Sequence, residues 1–182
     1  MRHGTHELIG VSVALAGARV LKAPALESAG TAVAAFYGSW LPDIDRLGSR
    51  VHRRSGPERR SVVVGLLGGI LRLPPFAFAL IARHRGVSHS LVGALTAGLL
   101  AALLSAPLGS TVWVVVAGGV FAGYAAHLVT DALTPSGVPL WAPLSRRRVW
   151  LVPRGWRIPT GSWREGVVAL VAALALAVLL AI

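Results

Sequence analysis

"YAAHLVTDALTPSG", residues 124–137, closes an apolar run that begins near Thr111. The run 111–131 is long enough to cross a hydrocarbon core, which takes about 20 residues. Its last turns nevertheless carry His127 and Asp131. Spaced i and i+4, those side chains share one face of a helix. The stretch therefore reads as a membrane helix that delivers an imidazole and a carboxylate to one end, with Pro135 stopping it just beyond.

The rest of the chain extends that reading. It has 182 residues, 54% of them hydrophobic and 14% charged. Soluble domains run nearer 45–50% apolar and about 25% charged, so the balance points to a membrane. Further apolar segments cover 5–25, 26–41, 61–82, 90–106 and 166–182, the last without a single charge. Segment 61–82 carries Arg72 and the Pro74–Pro75 pair at its middle. Proline removes a backbone donor and clashes with the preceding turn, so a broken, re-entrant hairpin is expected there. The predicted fold is an all-α integral membrane protein: one compact domain, 1–182, of about five spanning helices plus the hairpin. Residues 132–165 form a proline- and tryptophan-rich cytoplasmic or interfacial loop, and 166–182 the C-terminal span. The N-terminal run has features of a secretory signal. Cleavage would discard His6, so an uncleaved first helix is expected.

Charge placement orients the bundle. All 18 basic residues except Lys22 are arginine, and the formal net charge is +11. The arginines gather at 46–60, 83–85 and 146–164, between apolar runs. In a membrane protein this marks cytoplasmic loops and contact with anionic headgroups. Membrane lipids are thus the expected partners. No recognition-helix pattern supports nucleic acid.

Without cysteine there is no disulfide, iron–sulfur cluster or thiolate ligand. The strong polar groups other than arginine fall in "HGTHELIG", "WLPDIDR", "HRGVSHS" and "HLVTD", each at or near the end of an apolar segment. Ionisable groups at membrane depth are costly and usually pair or serve function. His6, Asp43, Asp45, His84, His89, His127 and Asp131 are the candidate ligands. Seven exceed the three or so protein ligands of a catalytic zinc, so two ions, or one ion with supporting partners, are expected. Mixed nitrogen and oxygen ligation permits zinc, manganese or iron alike, with zinc the favoured expectation. Taken singly, these residues have plainer readings: an Asp pair can make turns, and Ser88 or Ser90 can cap the following helix. His3 and His52 are expected to be solvated, as are Glu27, Glu58 and Glu165, and Glu7 is left without a role. The four motifs meeting on one face argue for a shared site.

In order, "THELIG", "LPDID", "HRGVSHS" and "GYAAHLVTDALTPSGVPLWAP" resemble the YdjM-like family of membrane-bound, metal-dependent hydrolases. The resemblance covers residues 1 to about 145. The seven candidate ligands match the family's polar positions, as do Arg85, Gly86 and Ser90. Ser88 stands where the family usually has Thr, which keeps a hydroxyl. The resemblance implies an inner-membrane hydrolase; the family's label also carries a link to the DNA-damage response, on which these residues are silent. A weaker likeness, of ligand type alone, is to zinc-dependent phospholipases C.

The expected function is metal-dependent hydrolysis of a phosphoester, on a lipid or lipid-linked substrate at the cytoplasmic face. His84 would be a ligand or carry a proton. Arg85 would pair with the phosphate, since a guanidinium binds phosphate oxygens in pairs, and Arg53 and Arg54 would gather anionic substrate. Amide hydrolysis at the same metals is disfavoured by the absence of an HExxH helix. The alternative is a non-enzymatic metal-binding transporter or sensor.

Overall fold

The computed structural model describes residues 1–43 and 87–181. Among these the chain forms five helices: α1 (His3–Val20), α2 (Ala25–Gly38), α3 (Leu91–Ser105), α4 (Ser110–Ala132) and α5 (Trp163–Ala181). Short 3-10 turns cover Leu41–Asp43, Ala106–Leu108 and Arg154–Trp156. The described residues contain no sheet, only an isolated antiparallel bridge between Val138 and Val149, so the all-helical class expected from sequence holds. The hairpin expected at 61–82 lies outside the described residues, as do Asp45, Arg53, Arg54, His84 and Arg85.

Local chemistry sets the connections. Lys22 takes φ 55, and the Ala23 N–H returns to the Ala18 carbonyl at 2.9 Å, closing α1. Pro24 then opens α2. Gly109, at φ 113, lets the chain reverse between α3 and α4 in a conformation that side chains disfavour. Ser90 is extended, and its Oγ accepts the Gly93 N–H at 3.2 Å. It is thus the N-cap of α3, a role worth about 1 kcal/mol.

Helix α4 is the hub: it packs against α1, α2 and α3, while α5 packs on α1. The contacts use small residues. Gly119 and Gly123, one turn apart, sit over Thr31, Ala34 and Ala35 of α2, and a methyl on Gly123 would meet the Ala35 carbonyl. A methyl on Gly10 would lie 3.4 Å from Gly123 Cα, so α1 joins the same junction. Small residues four apart are the usual way to bring helix backbones together in lipid, where the hydrophobic effect does not drive association.

The α1–α5 pair runs parallel with one register. Thr5 Oγ1 meets Glu165 Oε1 at 3.1 Å, Ser12 Oγ the Ala172 carbonyl at 3.3 Å, and Arg19 Nη2 the Leu179 carbonyl at 3.1 Å. Thr5, Ser12 and Arg19 follow a heptad, the period that keeps one seam facing a supercoiled partner.

Large apolar side chains point outward instead. Leu95, Leu99 and Leu103 of α3 and Leu170, Leu174 and Val178 of α5 are exposed, while the buried set is mostly Ala, Ser and Thr. So continuous an apolar exterior suits lipid, not water. Among the described residues three stretches are long and apolar enough to cross a membrane: Leu91–Leu108, Ser110–Ala132 and Trp163–Ala181. Helix α2 has 14 residues and rises only about 21 Å. Helix α1 includes His3, His6, Glu7 and Arg19.

The C-terminal helix starts at Trp163, earlier than the expected 166, because Ser162 Oγ accepts the Glu165 N–H at 3.4 Å and draws Trp163–Glu165 into the first turn. The segment before it folds over one end of the bundle. The Leu151 and Ile158 N–H groups bond the Ala132 and Leu133 carbonyls at 3.1 and 2.9 Å. Val138 is buried with Ala94, Tyr124, Leu128 and Ala132. At that same end α1, α3 and α5 begin and α2 and α4 finish.

If Gly123 is the contact point, Gly123→Ala forces α2 and α4 apart and destabilises the chain by about 1–3 kcal/mol. Gly118→Ala, with open space around it, leaves stability nearly unchanged. Thermal unfolding of both variants in detergent checks this, and equal melting temperatures would remove the glycine contact from the explanation.

Candidate metal centre

The ridge that carries Gly119 and Gly123 continues, four residues at a time, to His127 and Asp131. Close approach of α2 and α4 therefore places His127 directly beneath the end of α2. Its Nδ1 lies 2.8 Å from the Ser39 carbonyl. A carbonyl only accepts, so Nδ1 carries a proton, and in the neutral tautomer that this bond selects Nε2 presents a lone pair. That Nε2 is buried and has no hydrogen-bond partner.

His6 is built the same way. Its Nδ1 lies 2.5 Å from Thr130 Oγ1. The Thr130 hydroxyl is within 2.9 Å of both the Ala126 and His127 carbonyls, to which it donates. It must then accept from His6 Nδ1–H, which leaves His6 Nε2 as the lone-pair nitrogen. The His6 and His127 rings stack, with centroids 4.0 Å apart and planes at 15°. His89 arrives from the turn before α3, held by Tyr124, whose hydroxyl donates to the Ser88 carbonyl. Its Nδ1 lies 3.2 Å from Ser88 Oγ.

All three Nε2 atoms converge on carboxylates. Asp131 lies 3.4 Å from His6 Nε2, 3.6 Å from His89 Nε2 and 3.5 Å from His127 Nε2. Asp43, from the 3-10 turn after α2, lies 3.5 Å from His89 Nε2 and 3.9 Å from His127 Nε2. For His6 and His127, lone pairs facing carboxylate oxygens repel unless a proton or a metal cation lies between them. The spacing suits one: at metal–ligand bonds of about 2.0–2.2 Å, neighbouring tetrahedral ligands sit roughly 3.3–3.6 Å apart.

Two groups could hold an ion, His6–His127–Asp131 and Asp43–His89–His127, each with ligand atoms within 4.8 Å of one another. They share His127, whose other nitrogen is committed to Ser39. One lone pair serves one ion, so His127 could serve only one of the two groups at a time. Nδ1 anchors on ligating histidines are characteristic of metal sites, because they fix the tautomer and ring orientation.

Asp43, His6 and His127 are buried, whereas the side chains of His89 and Asp131 are 15% and 19% exposed. The centre therefore opens on the His89–Asp131 edge. The Met1 amine lies 3.7 Å from Asp131 Oδ1. His3, expected to be solvated, is half-buried, and its Nδ1 lies 3.7 Å from Asp43 Oδ2. It shares the first turn of α1 with His6, spaced i and i+3, which was a legible signal. Glu7 Oε1 accepts the Trp40 indole N–H at 2.6 Å, outside the cluster.

Glu165 corrects the expectation of a solvated carboxylate: it is 3% exposed. It accepts from the backbone N–H groups of Arg2 and Gly161 and from the Thr5 hydroxyl. Burial is tolerated because three donors replace water. The effect is to clamp the first turn of α1, with His3 and His6, to α5. Two of those donors are backbone groups, so residue types gave no sign of it.

A family model described as YdjM inner membrane protein matches the whole chain, residues 1–182. No curated protein and no solved structure matches it.

Thr130→Val keeps the shape of the side chain and deletes the hydroxyl that holds His6. Loss of such a supporting partner weakens metal binding by about 10–100-fold. Competition with a chromogenic chelator measures it. Wild-type affinity in a folded variant would show that Thr130 does not orient a ligand.

Proposed function

We propose, for a chain that belongs to the YdjM inner membrane protein family, that the His/Asp cluster is a metal centre for phosphoester hydrolysis at the cytoplasmic membrane surface. The observation that carries this reading is His127 Nε2, a buried lone-pair nitrogen without a hydrogen-bond partner that faces two carboxylates. His6, His89, His127, Asp43 and Asp131 would hold a divalent ion, zinc first among N/O-liganded candidates, with manganese or iron also compatible. Such an ion would polarise a phosphoryl oxygen and lower the pKa of water to about 7.

The chain's own groups supply the rest. The Ser39 carbonyl and the Thr130 hydroxyl hold His127 and His6 in one tautomer. His3, partly exposed beside Asp43, would pass a proton between the site and solvent. By sequence pattern, Asp45 and His84 complete a larger ligand set. Arg85, Arg53 and Arg54 gather the substrate phosphate. A second ion would draw on those residues.

Arg2, Arg146, Arg147, Arg148, Arg154, Arg157 and Arg164 belong to the site end of the bundle, against Arg19 and Lys22 at the other. The positive-inside rule makes the site end cytoplasmic. A site at helix ends, not at mid-membrane, favours surface chemistry over transport. Open at the edge of an apolar exterior, it suits a lipid or lipid-linked phosphoester. Helices α1 and α2 would then enter the bilayer beside the three longer ones, with 61–82 as the re-entrant hairpin.

The test is phosphate release from phosphatidic acid and from a lipid-linked diphosphate by the full chain in nanodiscs with zinc or manganese. Turnover is expected to stop with chelator and to fall by about 100-fold or more in Asp131→Asn, beyond what loss of a supporting partner costs. A metal-loaded wild type that releases phosphate from neither lipid class would end the phosphoesterase reading.

A further inference from the structure

Beyond the His/Asp cluster, the segment folded over the site end forms a cleft of about 720 Å³ lined by Pro135, Arg154, Gly155, Arg157, Pro159 and Arg164. That volume lies within the roughly 300–1,000 Å³ of small-ligand sites. Among the described residues three guanidiniums line it and no carboxylate does. Among the described residues none of the three pairs with Asp or Glu; the ion pairs present there all involve histidines or the Met1 amine.

Two of the arginines, Arg157 and Arg164, are held in place. The Arg157 guanidinium lies over the Trp150 ring, 4.4 Å from its centroid, and Trp150 Nε1 donates to the Pro135 carbonyl at 3.2 Å. Arg164 Nη1 donates to the Gly155 carbonyl at 3.0 Å. Arg157 Nε is buried without a hydrogen-bond partner. A buried N–H on a permanent cation, left without an acceptor, is costly. Of the three, Arg157 is partly buried, while Arg154 and Arg164 are exposed, as Arg146, Arg147 and Arg148 are.

We infer that this cleft binds a phosphate group, with Arg154, Arg157 and Arg164 as its donors. A tetrahedral oxyanion offers acceptors to the three guanidinium groups and matches their fork geometry. The exposed Trp156 and Trp163 flank the cleft in sequence, and tryptophan favours the headgroup layer. A phospholipid headgroup and a free phosphate would be bound by the same chemistry. The inference goes beyond the hydrolase reading, since it concerns binding and holds whatever the His/Asp cluster does.

The full chain in detergent is titrated with inorganic phosphate by calorimetry. In parallel, nanodiscs of phosphatidylglycerol or phosphatidylcholine are used to measure which lipid the chain retains in native mass spectrometry. Arg157→Gln and Arg154→Gln are compared with wild type. Arg154 is exposed and has little to lose structurally. His127→Ala separates phosphate drawn to a metal at the His/Asp cluster. Saturable phosphate binding, kept in His127→Ala and weakened roughly tenfold or more in both arginine variants, is the expected result for a free phosphate. Preferential retention of phosphatidylglycerol with the same losses assigns the cleft to a headgroup. Binding of neither probe by wild type, or equal binding by both arginine variants, overturns the inference, as does binding lost only in His127→Ala.

Discussion

Helix α4 meets α2 along one ridge that first allows contact and then uses it. Gly119 and Gly123 remove the side chains that would keep the backbones apart. The next residue on the ridge, His127, then reaches the carbonyl of Ser39 just past the end of α2. That bond turns Nε2 toward Asp131, one further turn along, and toward Asp43 in the turn leaving α2. The spacing that packs the helices is therefore also the spacing that builds the centre, and a shift of one residue in register would undo both.

Around this axis the other helices deliver single groups. Helix α1 brings His6 to Thr130, and its first turn is fixed to α5 through the buried Glu165. The turn before α3 brings His89, secured by Tyr124 and by the Ser90 cap. Each of the three histidines is held through Nδ1, so the cluster is set by contacts outside it. A buried group of lone pairs and carboxylates is stable only with positive charge at its centre, and a divalent ion supplies that with ligand spacings close to those present. The chain surrounding it is a membrane body, with small residues inside and leucine outside.

Much of this could be read from residue types. Helical class follows from the apolar runs, and the polar ends from His6, Asp43, His89, His127 and Asp131, each of which the structure brings into one cluster. The expectation that the four motifs meet on one face is matched, for their described residues, at the shared end of α1 to α5. What escaped reading has a common physical origin in the backbone and in small residues. Gly119 and Gly123 looked like ordinary members of an apolar run. The Ser39 carbonyl has no sequence signature, and Glu165 is satisfied mainly by N–H groups that any residue has. His3 was legible from its i, i+3 spacing to His6 but, taken alone, resembled a solvated side chain.

The most direct measurement is the amount of divalent metal per chain, by elemental analysis of the full-length protein purified in detergent. It is compared with His127→Ala and Asp43→Ala, each shown to keep its helical content. A centre built on His127 predicts about one ion per chain if the described ligands act alone, and about two only with further ligands. Both variants should lose it. A folded wild type that carries no metal, even after reconstitution with zinc and manganese, would contradict the metal centre and leave the three histidines as purely structural groups.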